Sequence, residues 1–184
     1  LLDAGRSHQV PVHILRLPNV LGKWCKPNYN SAVATFCHNI ARELPIQVHD
    51  PVATVTLVYV DDVIECLVQL MDGGDVAVGP DGFATVVPQY TATVGELAQQ
   101  IHAFKDSRAT LVTERVGEGL VRALYATYVS YLPVESFAYT VPQYADPRGV
   151  FVEMLKTPDA GQFSFFTAHP GITRGGHYHH SKTE

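Results

Sequence analysis

The chain has 184 residues, of which 46% are hydrophobic and 17% charged, and its formal net charge is -5. This apolar content suffices for a folded core and excludes a disordered chain, and the length allows one domain or two small ones. The sequence has no run of Lys or Arg and no apolar stretch of about 20 residues, so we expect neither a nucleic-acid partner nor a membrane span. Three cysteines without a CxxC pair indicate reduced thiols and a cytoplasmic protein.

The first part of the chain alternates between apolar strands and amphipathic helices. The run "VPVHILRLPNV" is apolar and β-branched up to Pro18, and it predicts a buried strand of a parallel sheet. The segment "SAVATFCHNIARELPI" has apolar residues near helical spacing, with Asn30 or Ser31 as its N-cap and a proline as its stop. A strand "TVTLVYV" and a helix "DDVIECLVQLMDGG" follow, and we expect Asp61 and Asp62 to cap that helix.

The alternation continues to Pro133. A short extended stretch, "DVAVGP", precedes a helix "TATVGELAQQIHAFKDS", in which Thr93 and Glu96 have the spacing of a capping box. The amphipathic helix "GLVRALYATYVSYLP" ends at Pro133. Alternating strands and helices are typical of a layered α/β fold, so we predict an α/β domain over residues 1–133.

The character of the sequence changes after Pro133. Short extended runs are separated there by Pro, Gly and Asp every 8 to 12 residues or so, a rhythm typical of all-β barrels and sandwiches. We therefore place a domain boundary at about residues 132–135 and predict a second, all-β domain over residues 134–184.

Two segments of the first domain carry a family resemblance. "ILRLPNVLGKW" contains an R-x-x-N-x-x-G pattern, and "LVYVDDVIECLVQLM" contains a V-x-D-V helix start. Together they resemble the C-terminal half of extended short-chain dehydrogenase/reductases (SDR), Rossmann-type enzymes that act on nucleotide sugars. The stretch "PNVLGKWCKPNYNS" is similar to bifunctional capsular-polysaccharide enzymes, in which a reductase domain precedes a cupin domain. The resemblance implies that the chain is an internal piece of such a protein, with the reductase part over 1–133 and the truncated start of the cupin over 134–184.

This resemblance also implies a set of binding residues. The backbone at Leu17 and Pro18 would lie near the nicotinamide of NADPH, and Asn19 would contact the sugar nucleotide. The alternative is a purely structural role, in which Asn19 makes only turn hydrogen bonds. Asn30 and Ser31 would lie near the uridine diphosphate (UDP), since a helix N-terminus suits phosphate. The family's GxxGxxG turn and Tyr-x-x-x-Lys pair would lie upstream of the first residue, so we expect these 184 residues alone to be inactive.

The last stretch, "GITRGGHYHHSKTE", predicts a metal site. Gly171, His177, His179 and Glu184 reproduce the first cupin motif, G-x5-H-x-H-x4-E. Residues i and i+2 of a strand point to the same face, so the imidazoles of His177 and His179 would enter one barrel interior. Two imidazoles and a carboxylate suit zinc or another divalent transition metal.

A second resemblance overlaps this motif. "DPRGVFVE" and "GITRGGHY" are similar to stretches of deoxysugar 3,5-epimerases, which are also cupins. That resemblance implies that His177 is the general base that removes a proton next to a ketone, and that Arg148 and Arg174 lie near substrate phosphates. The two interpretations of His177 compete, because a metal-bound imidazole cannot also act as a free base.

The sequence is compatible with three functions. The first is a homodimeric enzyme of capsule or O-antigen synthesis. It epimerises C3 of a UDP-4-keto-6-deoxy-hexosamine in the cupin domain and reduces C4 with NADPH in the reductase domain. The second is a reductase whose cupin is a non-catalytic dimerisation module. The third, weaker hypothesis is a nucleotide-sugar 4-epimerase or dehydratase.

Overall fold

A computed structural model describes residues 1–159, 161–173 and 175. Helices and strands alternate in its first part, and three strands follow one another near its end. No helix of the described residues is long and apolar enough to cross a membrane. The helices are α1 (Leu2–His8), α2 (Ala32–Ala41), α3 (Val60–Met71), α4 (Val94–Thr110), α5 (Gly119–Ser130) and a short 3-10 turn at Val134–Ser136. The strands are β1 (Asn19–Leu21), β2 (Thr54–Tyr59), β3 (Gln89–Thr93), β4 (Gln143–Asp146), β5 (Gly149–Thr157) and β6 (Gly161–Phe166).

The first sheet has the order β1-β2-β3 and mixed direction. β1 runs parallel to β2, with Leu21 opposite Tyr59, whereas β3 is antiparallel to β2, with Thr93 opposite Thr54. The central strand β2 is apolar at its carboxyl end, and Leu57, Val58 and Tyr59 are buried there. The predicted α/β fold is confirmed. Among the named strands of the described residues, β1 and β2 pair in parallel, and the other pairs are antiparallel.

The strand predicted over "VPVHILRLPNV" is mostly wrong. Regular pairing begins only at Asn19, because Pro18 has no N–H to donate to a strand ladder. Upstream of it, Leu15 forms a single bridge to Ala84, and the side chain of Val10 is exposed. The expected buried strand is therefore a short edge strand with an irregular approach.

The predicted strand "DVAVGP" is also wrong. Val78 makes only one bridge, to Ala84, because the chain turns immediately afterwards and the N–H of Gly79 donates to the carbonyl oxygen of Phe83 at 2.9 Å. The third strand lies further on, at Gln89–Thr93, where the sequence analysis predicted none. Helix α1 was likewise not predicted.

The main core lies between the first sheet and helices α2, α4 and α5. The caps predicted for α2 and α4 are confirmed: Ser31 caps α2, and Thr93 and Glu96 form a reciprocal capping box at α4. Such caps satisfy backbone N–H groups that the helix leaves unpaired, and thereby fix where each helix starts. The largest fully buried side chains of this core are those of Leu21, Ile40, Leu97, Ile101, Phe104 and Leu124.

The second sheet is an antiparallel meander in the order β4-β5-β6. β4 and β5 are joined by a tight turn in which Asp146 pairs with Gly149. Val152 of β5 is buried, while much of β6 is exposed. The all-β character predicted after Pro133 therefore holds over the strands that the structure describes.

Backbone hydrogen bonds join the second sheet to the connection between α4 and α5. The chain between α4 and α5 runs beside β5, where the N–H of Lys156 donates to the carbonyl oxygen of Leu111 at 2.8 Å. The N–H of Thr113 donates to the carbonyl oxygen of Lys156 at 2.7 Å. Nearby, the guanidinium of Arg108 donates to the carbonyl oxygen of Ser136.

Candidate functional site

The carboxyl ends of the parallel strands β1 and β2 meet at Leu21 and Tyr59. In α/β folds this edge of a sheet is where ligands bind. The chain passes so closely here that a Cβ on Gly22 would lie 2.2 Å from Cγ1 of Val60. The glycine that ends the R-x-x-N-x-x-G pattern is therefore needed for the contact between the end of β1 and the start of α3.

The acidic pair at the start of α3 does not cap the helix as expected. The N-cap residue is Tyr59, and no side chain makes a cap hydrogen bond there. Asp61 instead pairs with Lys23, with Nζ and Oδ2 3.0 Å apart, and this hydrogen bond raises the pKa of Lys23. Burial raises the pKa of Asp62. Both carboxylates still lie in the first turn, where the helix dipole favours negative charge.

Asn19 lies at the start of its strand and not at the carboxyl end, where α/β sheets bind ligands. It is the first residue of β1, and its Nδ2 donates to the carbonyl oxygen of Thr56 on β2 at 3.2 Å. This bond is made to the neighbouring strand rather than within a turn. The exposed Asn19 side chain thus has a structural partner, and its contact with substrate remains a prediction.

The segment before β1 is partly exposed to solvent. Leu17 is 38% exposed and Pro18 is partly exposed. The segment is held by Arg16, which forms an ion pair with Asp81 at 2.8 Å and stacks 3.8 Å from the ring centroid of Phe83. Because Pro18 has no N–H, the segment offers carbonyl acceptors, which suit the amide group of a nicotinamide.

The start of α2 borders an open groove of about 770 Å³, which we call the α2 groove. This volume lies within the range of roughly 300–1,000 Å³ that is usual for ligand sites. Asn30 and Ser31, both predicted from the sequence, line it. The hydroxyl of Ser31 accepts a hydrogen bond from the N–H of Ala34 at 3.2 Å, and the first turn of α2 has no acidic residue. This end of the α2 groove therefore suits an anion.

A second segment, which the sequence did not predict, also lines the α2 groove. Gln47, His49 and Asp50 contribute to it, and all three side chains are exposed. The amide of Asn39 donates to the carbonyl oxygen of Pro45 at 3.0 Å and fixes the start of this segment. An isolated histidine in a loop gave no sequence signal, because only the fold brings it beside the start of α2.

In the second sheet, Arg148 lies in the turn between β4 and β5. Its backbone N–H and its guanidinium both donate to the carboxylate of Asp146, at 2.8 and 2.6 Å. The hydrogen bond to Asp146 raises the pKa of Arg148. The side chain is 63% exposed, so the turn presents a fixed cation to solvent.

Several predicted site residues lie outside the described residues, namely Arg174, His177, His179 and Glu184. The predicted metal site and base are therefore not tested by the structure. Within the described part of the chain, no group of three or more His, Cys, Asp or Glu side chains could hold a metal ion. Tyr178 and Lys182 have the Tyr-x-x-x-Lys spacing, which the sequence analysis overlooked. They too lie outside the described residues, and spacing alone does not make them the reductase pair.

Two family models match separate parts of the chain. The NAD dependent epimerase/dehydratase family matches residues 1–83, and the polysaccharide biosynthesis C-terminal domain matches residues 144–184. A curated relative, UDP-2-acetamido-2,6-beta-L-arabino-hexul-4-ose reductase from Pseudomonas aeruginosa, is 63% identical over 98% of this chain and 48% of its own length.

Solved structures agree with these matches. The capsular polysaccharide assembling protein CapF from Staphylococcus aureus is 40% identical and superposes with a TM-score of 0.90, over 98% of this chain and 48% of its own. CapF with the inhibitor 3-isopropenyl-tropolone gives a TM-score of 0.89, over 98% of this chain and 51% of its own. UDP-glucose 4-epimerase from Thermus thermophilus in complex with NAD shares the fold, with a TM-score of 0.52 and 18% identity over 71% of this chain and 50% of its own. The chain thus spans about half the length of the curated relative and of CapF, and separate parts of it match the two family models.

Proposed function

We propose that this chain is the nucleotide-sugar-binding part of a UDP-sugar reductase, followed by the start of a cupin epimerase domain. The observation that carries the proposal is the α2 groove, whose anion-suited end is formed by Asn30 and Ser31. It belongs to a chain that is 63% identical to a reductase named for a UDP-linked 4-keto sugar.

The residues have distinct roles in the proposed reduction. The start of α2 binds the diphosphate through backbone N–H groups, and Asn19 orients the sugar at the edge of β1. The carbonyl groups around Leu17 and Pro18 orient the nicotinamide. NADPH, when bound, would supply a hydride to C4, and the tyrosine of the upstream Tyr-x-x-x-Lys pair would donate the proton that completes the alcohol.

The proposed epimerisation precedes this reduction and depends on the C4 ketone. A base, assigned to His177, takes the proton from C3, and the electron pair moves onto the C4 oxygen as an enolate. Return of a proton to the opposite face of C3 inverts that centre and restores the ketone. Arg148 and Arg174 bind substrate phosphates in this proposal. His177, His179 and Glu184 form the alternative divalent-metal site, and zinc bound there would polarise the ketone.

The first test is binding by the 184-residue chain itself. Isothermal titration with UDP should show saturable binding, because the proposed phosphate site lies within the chain. The Ser31→Ala variant should bind several-fold more weakly. Absence of UDP binding to the unaltered chain would refute the assignment of the α2 groove.

The second test separates the epimerase from a dimerisation module. In a protein of the relatives' full length that carries this sequence, His177→Ala should abolish exchange of the C3 proton with solvent deuterium. Reduction of an already epimerised substrate by NADPH should continue. Unchanged deuterium exchange would instead favour a cupin that serves only in dimerisation.

A further inference from the structure

The loop before α2 holds one aromatic side chain at the surface. Tyr29 is 79% exposed and lines the α2 groove. Burial of an aromatic side chain is stabilising, so an aromatic ring left in water lacks a contact that a ligand can supply. Tyr29 is therefore a candidate for a ligand contact.

The backbone that precedes Tyr29 is fixed by hydrogen bonds. The hydroxyl of Tyr131 donates to the carbonyl oxygen of Cys25, and the N–H of Asn28 donates to Oγ1 of Thr35 at 2.9 Å. Asn28 has a φ of 53°, a left-handed conformation that is uncommon for non-glycine residues. The exposed ring is thus presented by an anchored loop, which reduces the entropy lost when a ligand binds.

The ring stands beside features that suit the rest of a nucleotide. It lies two residues before Ser31, at the start of α2, where the α2 groove suits an anion. Nζ of Lys26 is 5.4 Å from the ring centroid and adds a positive charge. The second lining segment contributes the exposed polar side chains of Gln47 and His49, which offer hydrogen bonds to the edge of a base.

We propose that Tyr29 is the base-stacking residue of the α2 groove and that the uracil ring of the nucleotide lies against it. This inference rests on the proposed function, since the base is the uracil of a UDP-sugar. A pyrimidine has a flat π-face, and stacking on an aromatic side chain is tolerant of small displacements. Tyr29 thereby recognises the nucleoside, while the start of α2 recognises the diphosphate.

A matched control lies in the same loop. Trp24 is 82% exposed, also has a left-handed backbone with φ 63°, and also has a lysine near its ring, with Nζ of Lys23 5.7 Å from the centroid. Trp24 does not line the α2 groove. Trp24→Ala therefore removes an equally exposed aromatic ring without affecting the proposed stacking of uracil on Tyr29.

The test is titration of the 184-residue chain and its variants with UDP and with inorganic pyrophosphate. Tyr29→Ala should weaken UDP binding by about tenfold, which is typical for the loss of one stacked base, and should leave pyrophosphate binding unchanged. Tyr29→Phe keeps the ring and should bind UDP within about twofold of the unaltered chain, as should Trp24→Ala.

The outcomes separate this inference from the proposed function. If the unaltered chain binds no UDP, both fail. If it binds UDP and Tyr29→Ala binds equally well, or loses UDP and pyrophosphate to the same degree, only the stacking role of Tyr29 fails. A change of oligomeric state in Tyr29→Ala, measured by light scattering at unchanged UDP affinity, would likewise overturn it and assign the ring to a protein contact.

Discussion

Replacing Gly22 by alanine tests the packing that joins β1 to α3. The added methyl carbon would lie 2.2 Å from Cγ1 and 2.7 Å from Cβ of Val60, whereas carbon atoms in contact are normally about 3.5–4.0 Å apart. One side must therefore move by more than 1 Å, roughly the difference between those separations. Overpacking of this kind costs about 1–3 kcal/mol, and 1 kcal/mol lowers the melting temperature of a protein of this size by about 2–4 °C.

We expect Gly22→Ala to lower the melting temperature by about 2–12 °C in thermal unfolding followed by circular dichroism. Gly117→Ala is the matched control, because nothing lies within 4 Å of the added carbon, and it should change stability by less than about 0.5 kcal/mol. Val60→Ala removes the clashing Cγ1, so the double variant should recover part of the loss in a double-mutant cycle. If Gly22→Ala is as stable as Gly117→Ala, or the cycle shows no coupling, the close approach does not constrain this position.

Three further predictions concern caps, ionisation and thiol reactivity. Ser31→Ala and Thr93→Ala should each destabilise the chain by about 1 kcal/mol in urea unfolding, but only Ser31→Ala should weaken UDP binding; equal effects on binding would contradict the role of α2. Burial raises the pKa of Tyr131 to about 12, so the unfolded chain loses this proton first and stability should fall between about pH 10 and pH 12. Unfolding measured against pH should show a shallower fall for Tyr131→Phe than for the exposed control Tyr144→Phe, and identical slopes would contradict this. Burial also raises the pKa of Cys37, so a thiol reagent followed by mass spectrometry should label it far more slowly than the two partly exposed cysteines; equal rates would show that the core opens there.

The sequence predicted the helices well because their signals are local. Apolar spacing and side-chain caps identified α2 and α4, including the hydrogen bonds of Ser31 and Thr93. Strand pairing depends instead on partners far along the chain. Pro18 interrupts a run that looks continuous by hydropathy, and β3 became a strand through its pairing with β2.

The candidate site was predicted only in part, because local patterns identify some of its residues and long-range contacts bring in the others. Asn30 and Ser31 were identified from resemblance and from the start of a helix, and both line the α2 groove. Gln47 and His49 reach it only through the loop after α2, which no local pattern reveals. Asp61 was expected to bond its own helix, but the fold brings Lys23 close enough to pair with it.

The backbone bridge at Lys156 has a practical consequence for dividing this protein. The sequence places a boundary near residue 133, but the N–H and carbonyl of Lys156 are bonded to Leu111 and Thr113 on the other side of it. A cut at that boundary would leave these polar groups, and their partners, without the hydrogen bonds that they make in the intact chain. The hydrogen bonds of the first part of the chain thus extend beyond the boundary near residue 133, to Lys156 in the second part.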